Sequence, residues 1–312
     1  MSLTDPVIVA VVTYNSAHLI PGLVESLERG MGGTAYALVV ADNSSSDGST
    51  DVVRSADPSA RVVQMGRNAG YAAGLNAAVA DAGSFRAVLV LNPDVRLASH
   101  CVPRLLSALE QPGVGVAVPR LEDGDGQLVE SMRREPSALR AWADALLGAR
   151  RAGRVPVLGE VVTGRERYER TALTDWAEGS TQLISAECWA AAGPWDETFF
   201  LYSEETDFNL RARDSGHATA FVPEARAVHF GGESATAPAL WSLLVVNKLR
   251  LYRRRHGLLL TGSYWLALVV REATRSVRGS VSARSALRVL CNSRALRSQP
   301  NPDWLAEVSA NA

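Results

Sequence analysis

Cysteine is scarce in this sequence. Cys101, Cys188 and Cys291 form an odd, widely spaced set without a CxxC pair, which argues against a disulfide framework or a cysteine zinc site. Charge of one sign is lacking too. The 32 Lys and Arg residues nearly balance 33 Asp and Glu, for a formal net charge of −1, so no global field for nucleic acid is expected. Long hydrophobic runs are also missing. The longest, residues 257–270, is interrupted by Thr261, Gly262 and Ser263 and is shorter than the roughly 20 residues that a membrane-spanning helix needs. Residues 7–12 are apolar but have no basic flank or cleavage site, so a cytoplasmic protein is expected rather than a secreted one. Gly66, Gly70 and Gly74 recur every fourth residue instead of as GxGxxG, which disfavours a nicotinamide enzyme. There is no internal repeat.

What is present is an ordinary globular composition, 47% hydrophobic and 21% charged, with a clear alternation of elements. Residues 7–12 (VIVAVV) read as a strand buried on both faces. A helix follows, with Asn15 or Ser16 as its expected cap and Leu19, Leu23 and Leu27 on one stripe. Strands are expected at 36–41, 61–65 and 86–91, and helices at 47–54 and 69–82. Such alternation predicts an α/β fold with a mostly parallel central sheet flanked by helices. A strand at 114–118 closes this half. Residues 120–176 are expected to be loop with one helix near 139–149. A strand at 180–185, a short helix ended by Gly193-Pro194, a helix capped by Ser203, a strand at 218–222 and a helical, Arg-rich tail complete the reading. The expected division is residues 1–98 and 99–232 as two halves of one domain, then a helical extension over 233–312.

Ligands of open parallel sheets sit beyond the carboxyl ends of the strands, which selects Thr13, Asp42, Arg67 and Asp94. Asp42 follows Leu38-Val39-Val40-Ala41 and precedes Asn43-Ser44-Ser45-Ser46-Asp47-Gly48. An ionised carboxylate only accepts hydrogen bonds, so it suits the N3–H of uracil or thymine; the same residues also make turns and caps. Asp94, in Asn92-Pro93-Asp94-Val95, can hold a hard cation that also binds diphosphate, although Asn-Pro-Asp is equally a turn sequence. Arg67-Asn68-Ala69-Gly70 opens a helix, where phosphate is favoured. Glu204, Glu205 and Asp207 fall within one helical turn. Glu204 and Asp207 share a face, Glu205 points about 100° away, and Asp207 can pair with Arg211 at i,i+4. His229 is either a metal ligand or a loop histidine.

In this order the motifs resemble glycosyltransferase family 2, the group with the GT-A fold, over residues 7–232, and specifically its rhamnosyltransferase-like members. Thr13-Tyr14-Asn15 is similar to the family's opening donor-binding turn, the segment starting at Asp42 to the one that binds the pyrimidine, and Asn92-Pro93-Asp94 to a DXD motif in which Asp94 alone keeps a metal-binding carboxylate. Residues 67–76 resemble a segment of enzymes that use dTDP-L-rhamnose. Phe199-Phe200-Leu201-Tyr202-Ser203-Glu204-Glu205-Thr206-Asp207 resembles the segment that carries the catalytic base. The resemblance puts Glu205 there, with Asp207 and Glu204 as alternatives. Thr13, Tyr14, Asn15, Asp42, Arg67, Asn68, Gly70 and Asn92 are thus expected to bind the donor, Gly179, Ser180 and Trp195 the acceptor, and Asp94 and His229 a divalent cation, Mg²⁺ or Mn²⁺. The implied activity is inverting, metal-dependent transfer of a sugar, L-rhamnose first, from a dTDP or UDP donor. The implied acceptor is a glycan or polyprenyl-diphosphate-linked GlcNAc, in cell-wall or polysaccharide assembly.

Three alternatives are carried forward: another UDP- or dTDP-sugar such as galactofuranose or glucose, a non-catalytic nucleotide-sugar-binding protein, and a sugar-nucleotide pyrophosphorylase. The last is disfavoured because Thr13-Tyr14-Asn15-Ser16 is not a basic, Gly-rich loop. In the tail, arginines flanking the apolar 258–270 run allow three readings: a packed helical hairpin, a homodimer interface, or peripheral docking on the inner face of the plasma membrane.

Overall fold

A computed structural model describes residues 5–231 and 237–310. The chain divides into two compact units: Met1–Met132 with Arg165–Glu197 and Glu205–Gly231, and Arg133–Gly164 with Thr198–Glu204 and Gly232–Ala312. The domain boundary expected at residue 232 lies outside the described residues.

In chain order the strands are β1 (Val7–Thr13), β2 (Tyr36–Asp42), β3 (Arg61–Gln64), β4 (Ala87–Leu91), β5 (Val95–Leu97), β6 (Val114–Glu122), β7 (Leu128–Val129), β8 (Met132–Arg133), β9 (Ala172–Thr174), β10 (Trp176–Ala177), β11 (Thr181–Ser185) and β12 (Ala218–His229). The helices are α1 (Ile20–Met31), α2 (Ser49–Ala56), α3 (Tyr71–Asp81), α4 (Cys101–Leu109), α5 (Ala138–Leu147), α6 (Ala149–Gly153), α7 (Ala186–Ala192), α8 (Glu204–Asp214), α9 (Pro238–Arg255), α10 (Leu258–Val277), α11 (Val281–Leu290), α12 (Ser293–Arg297) and α13 (Pro302–Ala310).

The first unit holds the sheet, in the order β3-β2-β1-β4-β11-β6-β12-β5. β1 and β4 are apolar at every position but Thr13 and are buried throughout, as strands covered on both faces must be. β3, β2, β1 and β4 run parallel, and the register pairs Thr13 with Asp42 and Asp42 with Gln64. Three carboxyl ends therefore finish level. β11 is antiparallel to both β4 and β6, so the sheet is mixed beyond β4.

Several expectations change. α1 starts at Ile20 behind Leu19, without a side-chain cap, because Asn15 and Ser16 are drawn into the neighbouring turn described below. Leu23 and Leu27 are buried as the stripe predicts. Ser203 has φ 75°, so it lacks the extended backbone of a capping residue. The helix expected near 139–149 is α5, and residues 120–176 carry in addition α6, a 3₁₀ turn and several short strands where loop was expected. β12 is longer than the predicted 218–222. Pro223 has no N–H for the ladder, pairing with β6 is irregular between Val222 and Arg226, and it resumes beyond. That extension pairs Val95 with His229, which the shorter strand would not.

The second unit is helical. Val245, Tyr252, Tyr264, Leu268, Ala286 and Leu290 form one core, and Phe200, Leu243, Val246, Val289 and Trp304 another. The tail's arginines work largely inside it. Arg271 binds Asp144 at 2.9 Å and the fully buried Glu272 at 2.6 Å, and Trp241 Nε1 donates to the same Glu272. Arg255 pairs with Glu135 and Arg254 stacks on Phe199. Arg275 stacks on Trp241, and Arg250 donates to the Leu296 and Ser298 carbonyls. The packed-bundle reading of these residues is the one the contacts support. No helix among the described residues is long and apolar enough to cross a membrane.

Candidate active site

The loops after β1 and β2 are laced together by their own side chains. Thr13 Oγ1 and Ser45 Oγ both donate to Asp42 Oδ1, at 2.9 and 2.6 Å, and the Ser45 N–H donates to Oδ2 at 3.0 Å. Asn15 takes a left-handed backbone, φ 53°; its N–H reaches Ser45 Oγ and its Oδ1 accepts from the Ser46 N–H, both at 2.9 Å. Asp47 accepts from the Ala17 N–H at 2.8 Å and from Ser49. Burial would raise the Asp47 pKa, but these hydrogen bonds outweigh it and hold the group below the usual carboxylate value. Tyr14 stays exposed at the rim. Asp42, expected to meet a pyrimidine, is buried and already accepts three hydrogen bonds, with spare acceptor capacity on Oδ2.

Asn43 ties this turn to the next. Its Nδ2 donates to the Gly70 carbonyl at 3.0 Å and its Oδ1 accepts from the Ala69 N–H. Gly70 has φ 92°, a conformation that favours glycine, and it launches α3; Asn68 Oδ1 accepts from its N–H. Arg67 is exposed beside this helix start. Tyr71, in the first turn of α3, donates its hydroxyl to Asn92 Oδ1 at 2.7 Å, and the Asn92 N–H donates to the Ser180 carbonyl at 2.9 Å. Thr13, Asp42, Asn68, Gly70, Asn92 and Ser180 are thereby joined in one run of contacts.

The turn after β4 differs. The register of β5 against β12 brings His229 Nε2 to 3.2 Å from Asp94 Oδ2. The other oxygen, Asp94 Oδ1, is buried without a hydrogen-bond partner. Burial alone would lower the His229 pKa; the hydrogen bond and charge of Asp94, with the charge of Glu178, outweigh it and raise the imidazole above its ordinary value. Arg96 fixes the turn by donating to the carbonyls of Pro93, Val95 and Leu19, at 2.8, 2.8 and 2.9 Å. A Cβ on Gly22 would lie 2.6 Å from this guanidinium, so the glycine makes its room. Among the described residues no three His, Cys, Asp or Glu side chains cluster as a metal cage. One carboxylate with an unpartnered oxygen and one imidazole nonetheless fit a cation that takes its remaining ligands from diphosphate and water.

Of the three acids at the start of α8, Glu204 and Asp207 are buried and Glu205 is partly exposed. Asp207 pairs with Arg211 at 2.7 Å, as the i,i+4 spacing predicts, and Arg211 also holds the Ala192 and Pro194 carbonyls. Glu205 lies against Gly179, where an added Cβ would stand 3.0 Å from the Glu205 Cβ. Ser180 Oγ is buried without a partner beside it. Trp195, expected to touch the acceptor, is instead 1% exposed and stacked on Phe208 with centroids 5.7 Å apart; its backbone is clamped by Asn76. Its ring lies 3.6 Å from where a Cβ on Gly179 would stand, and its indole N–H is buried without a hydrogen-bond partner, where a buried indole ordinarily finds one.

Sequence reasoning passed over two supports. Thr219 Oγ1, Asn209 and Gln182 form a buried chain with links of 2.9 and 3.0 Å, ending on the Ala177 carbonyl. It ties α8 to β12 and β11; three polar residues in apolar surroundings are its only trace in the sequence. In the second unit, the loop before α8 has left-handed backbone at both Tyr202 and Ser203, φ 69° and 75°. Asn247 of α9, fully buried, donates to the Leu201 and Tyr202 carbonyls at 2.9 and 3.1 Å. Consecutive non-glycine residues in this region persist only where their surroundings hold them.

Comparison with known proteins shows the family. The model of glycosyl transferase family 2 matches residues 8–165. The chain belongs to this family. This family 2 glycosyltransferase is 27% identical over 312 residues to an N-acetylglucosaminyl-diphospho-decaprenol L-rhamnosyltransferase of Mycobacterium tuberculosis, covering 95% of this chain and 96% of that one. Among solved structures it resembles a mannosyltransferase of Pyrobaculum calidifontis in complex with GDP-Man and Mn²⁺, with TM-score 0.55, 14% identity, and coverage of 98% of this chain and 86% of that one. It also resembles the glucosyl-3-phosphoglycerate synthase of Mycobacterium tuberculosis in complex with Mn²⁺, UDP and glucosyl-3-phosphoglycerate, with TM-score 0.53, 17% identity and 80% coverage of each chain. At those identities the two structures establish the GT-A fold, which is the fold expected.

Proposed function

We propose that this glycosyltransferase moves L-rhamnose from dTDP-L-rhamnose to a polyprenyl-diphosphate-linked GlcNAc, or a related glycan, with inversion, in cell-wall or polysaccharide assembly at the cytoplasmic face of a membrane. The observation that carries transfer is the Asp94–His229 pair with its open carboxylate oxygen at the end of the central strands. The choice of sugar and acceptor rests on the full-length relative. Residues 1–98 would hold the donor and 99–232 the acceptor.

In this reading Tyr14 and Asn15, exposed beside the buried Thr13, meet the nucleoside, Thr13 holds Asp42 in place, and Asp42 offers its spare acceptor capacity to the N3–H of a pyrimidine. Thymine and uracil share that N–H, so Asp42 does not choose between dTDP and UDP. Arg67, Asn68 and the first N–H groups of α3 favour the diphosphate. Asp94 and His229 would hold Mg²⁺ or Mn²⁺, which when bound neutralises negative charge on the departing diphosphate. Glu205 accepts the proton of the acceptor hydroxyl as that oxygen bonds to the anomeric carbon from the side opposite the diphosphate. The bond to the diphosphate breaks with its electron pair, and one displacement inverts the centre. Gly179 leaves room beside Glu205 and Ser180 Oγ offers a hydrogen bond to the acceptor.

Transfer to a polyprenyl-diphosphate GlcNAc acceptor from dTDP-L-rhamnose, compared with UDP-glucose and UDP-galactofuranose, tests this. Rhamnosyl transfer that collapses in both Glu205→Gln and Asp94→Asn is expected. Unimpaired transfer by the two variants would refute the residue roles, and transfer from a UDP-sugar alone would move the donor to the alternative.

A further inference from the structure

We propose that the corner made by the end of α5, α6 and the turn that follows, residues 146–157, is a docking surface for an anionic lipid bilayer. It presents apolar and cationic side chains together. Leu146 is 71% exposed, Leu147 49%, Val155 46% and Val157 63%, and Arg150, Arg151 and Arg154 are exposed among them.

No acidic residue lies between Asp144 and Glu160. Those two are already neutralised, Asp144 by Arg271 at 2.9 Å and Glu160 by Lys248 at 2.9 Å. Three positive charges are therefore left without a balancing carboxylate in their own segment. The backbone beneath them is tightly held. A Cβ on Gly159 would lie 2.3 Å from the Gly153 Cα, so the turn passes the end of α6 where only a glycine fits. The Val155 N–H donates to the Ala152 carbonyl and the Gly159 N–H to the Val155 carbonyl, at 3.0 and 3.1 Å. Arg134 holds the Gly159 carbonyl at 2.8 Å.

Charge complementarity selects the occupant. Leucine and valine suit the boundary between acyl chains and headgroups, and arginine suits lipid phosphate. A second copy meeting this corner with its own would oppose the same three arginines, an unfavourable juxtaposition. The tail, whose arginines over 250–278 suggest the same role from sequence, has Arg250, Arg254, Arg255, Arg271 and Arg275 engaged in internal contacts and leaves Arg253 and Arg278 exposed, far apart in sequence. The corner gathers three exposed arginines within five residues. Vesicle binding needs neither donor nor acceptor, so this surface stands or falls apart from the proposed reaction.

The test is co-sedimentation of the full chain with vesicles of phosphatidylcholine alone and of phosphatidylcholine mixed with phosphatidylglycerol, at low and high salt. Binding to the anionic vesicles that weakens with salt is expected. Each arginine contributes roughly fivefold in partitioning, so Arg150→Glu/Arg151→Glu/Arg154→Glu is expected to bind more than tenfold more weakly, and Leu146→Ser/Leu147→Ser several-fold more weakly, both with unchanged melting temperature. Absence of wild-type binding would overturn the proposal. So would binding that survives in both corner variants, is indifferent to lipid charge, or is lost instead in Leu258→Ser/Leu259→Ser, the exposed leucines that begin α10.

Discussion

Asp42 ends β2 and Asp94 lies in the turn after β4, two parallel strands with β1 between them, yet their surroundings are opposite. Asp42 accepts from Thr13 and twice from Ser45, and its turn is closed by the chain's own donors. Asp94 shares one oxygen with His229 and keeps the other buried and unpartnered. A satisfied carboxylate shapes a loop; an unsatisfied one in a native fold has a stability penalty that a ligand can relieve. Sequence alone makes the two look alike, an aspartate in a turn after an apolar strand. The hydrogen-bond inventory separates a residue whose turn is built around it, with acceptor capacity left only on Oδ2, from one with a whole oxygen unpartnered.

Substitution should separate them further. The largest effects are expected on turnover. Glu205→Gln should lower kcat by about 10³-fold, the usual scale of a lost general base, and Asp94→Asn by on the order of 10²-fold or more, measured as product formed at saturating donor. Neither should lower the melting temperature much. Asp42→Ala should add a loss of stability to weaker donor binding: leaving the buried Thr13 and half-buried Ser45 donors without their acceptor costs about 2 kcal/mol, read as a lower urea midpoint. Equal destabilisation by Asp94→Ala and Asp42→Ala would erase the distinction between the two turns.

A smaller effect is expected at Asn247. Removing its hold on the Leu201 and Tyr202 carbonyls should lower kcat roughly tenfold through misplacement of the acid that follows, with the donor KM unchanged. Ser203→Gly in the Asn247→Ala background should recover part of the loss, because glycine takes the left-handed backbone without strain. No recovery would mean that Asn247 acts on stability alone. The smallest effect concerns the thiols. Burial pushes Cys101 and Cys188 up to about 12, so both stay protonated and unreactive at pH 8, whereas Cys291 is exposed. One alkylation per chain, at Cys291, is the expected mass shift; labelling of Cys101 or Cys188 in the native protein would contradict their burial.

Much of the sheet was legible because hydrophobic runs such as VIVAVV and AVLVL have few alternatives to a buried strand. Strand ends gather ligands, so Thr13, Asp42, Arg67 and Asp94 could be singled out before their contacts were known. What sequence left hidden is what depends on partners distant in the chain. Asn15 and Ser16 look like helix caps until Ser45, Ser46 and Ser49 compete for them. The stacking of Trp195 on Phe208 is equally invisible in the sequence. Arg96, Asn209 and Asn247 carry no local signal at all, since their bonds reach Leu19, Gln182 and Leu201. The tail's arginines read as a surface charge because Asp144, Glu135 and Phe199, which receive three of them, lie far away in sequence.

The most direct test of a cation and diphosphate site at Asp94 is titration of Mn²⁺, followed by electron paramagnetic resonance, into the wild-type protein and Asp94→Asn in the presence of dTDP and of UDP. Bound Mn²⁺ that requires nucleotide and disappears in Asp94→Asn, with the variant folded, is the expected result. Equal Mn²⁺ uptake by the two proteins, or none by wild type with either nucleotide, would contradict it.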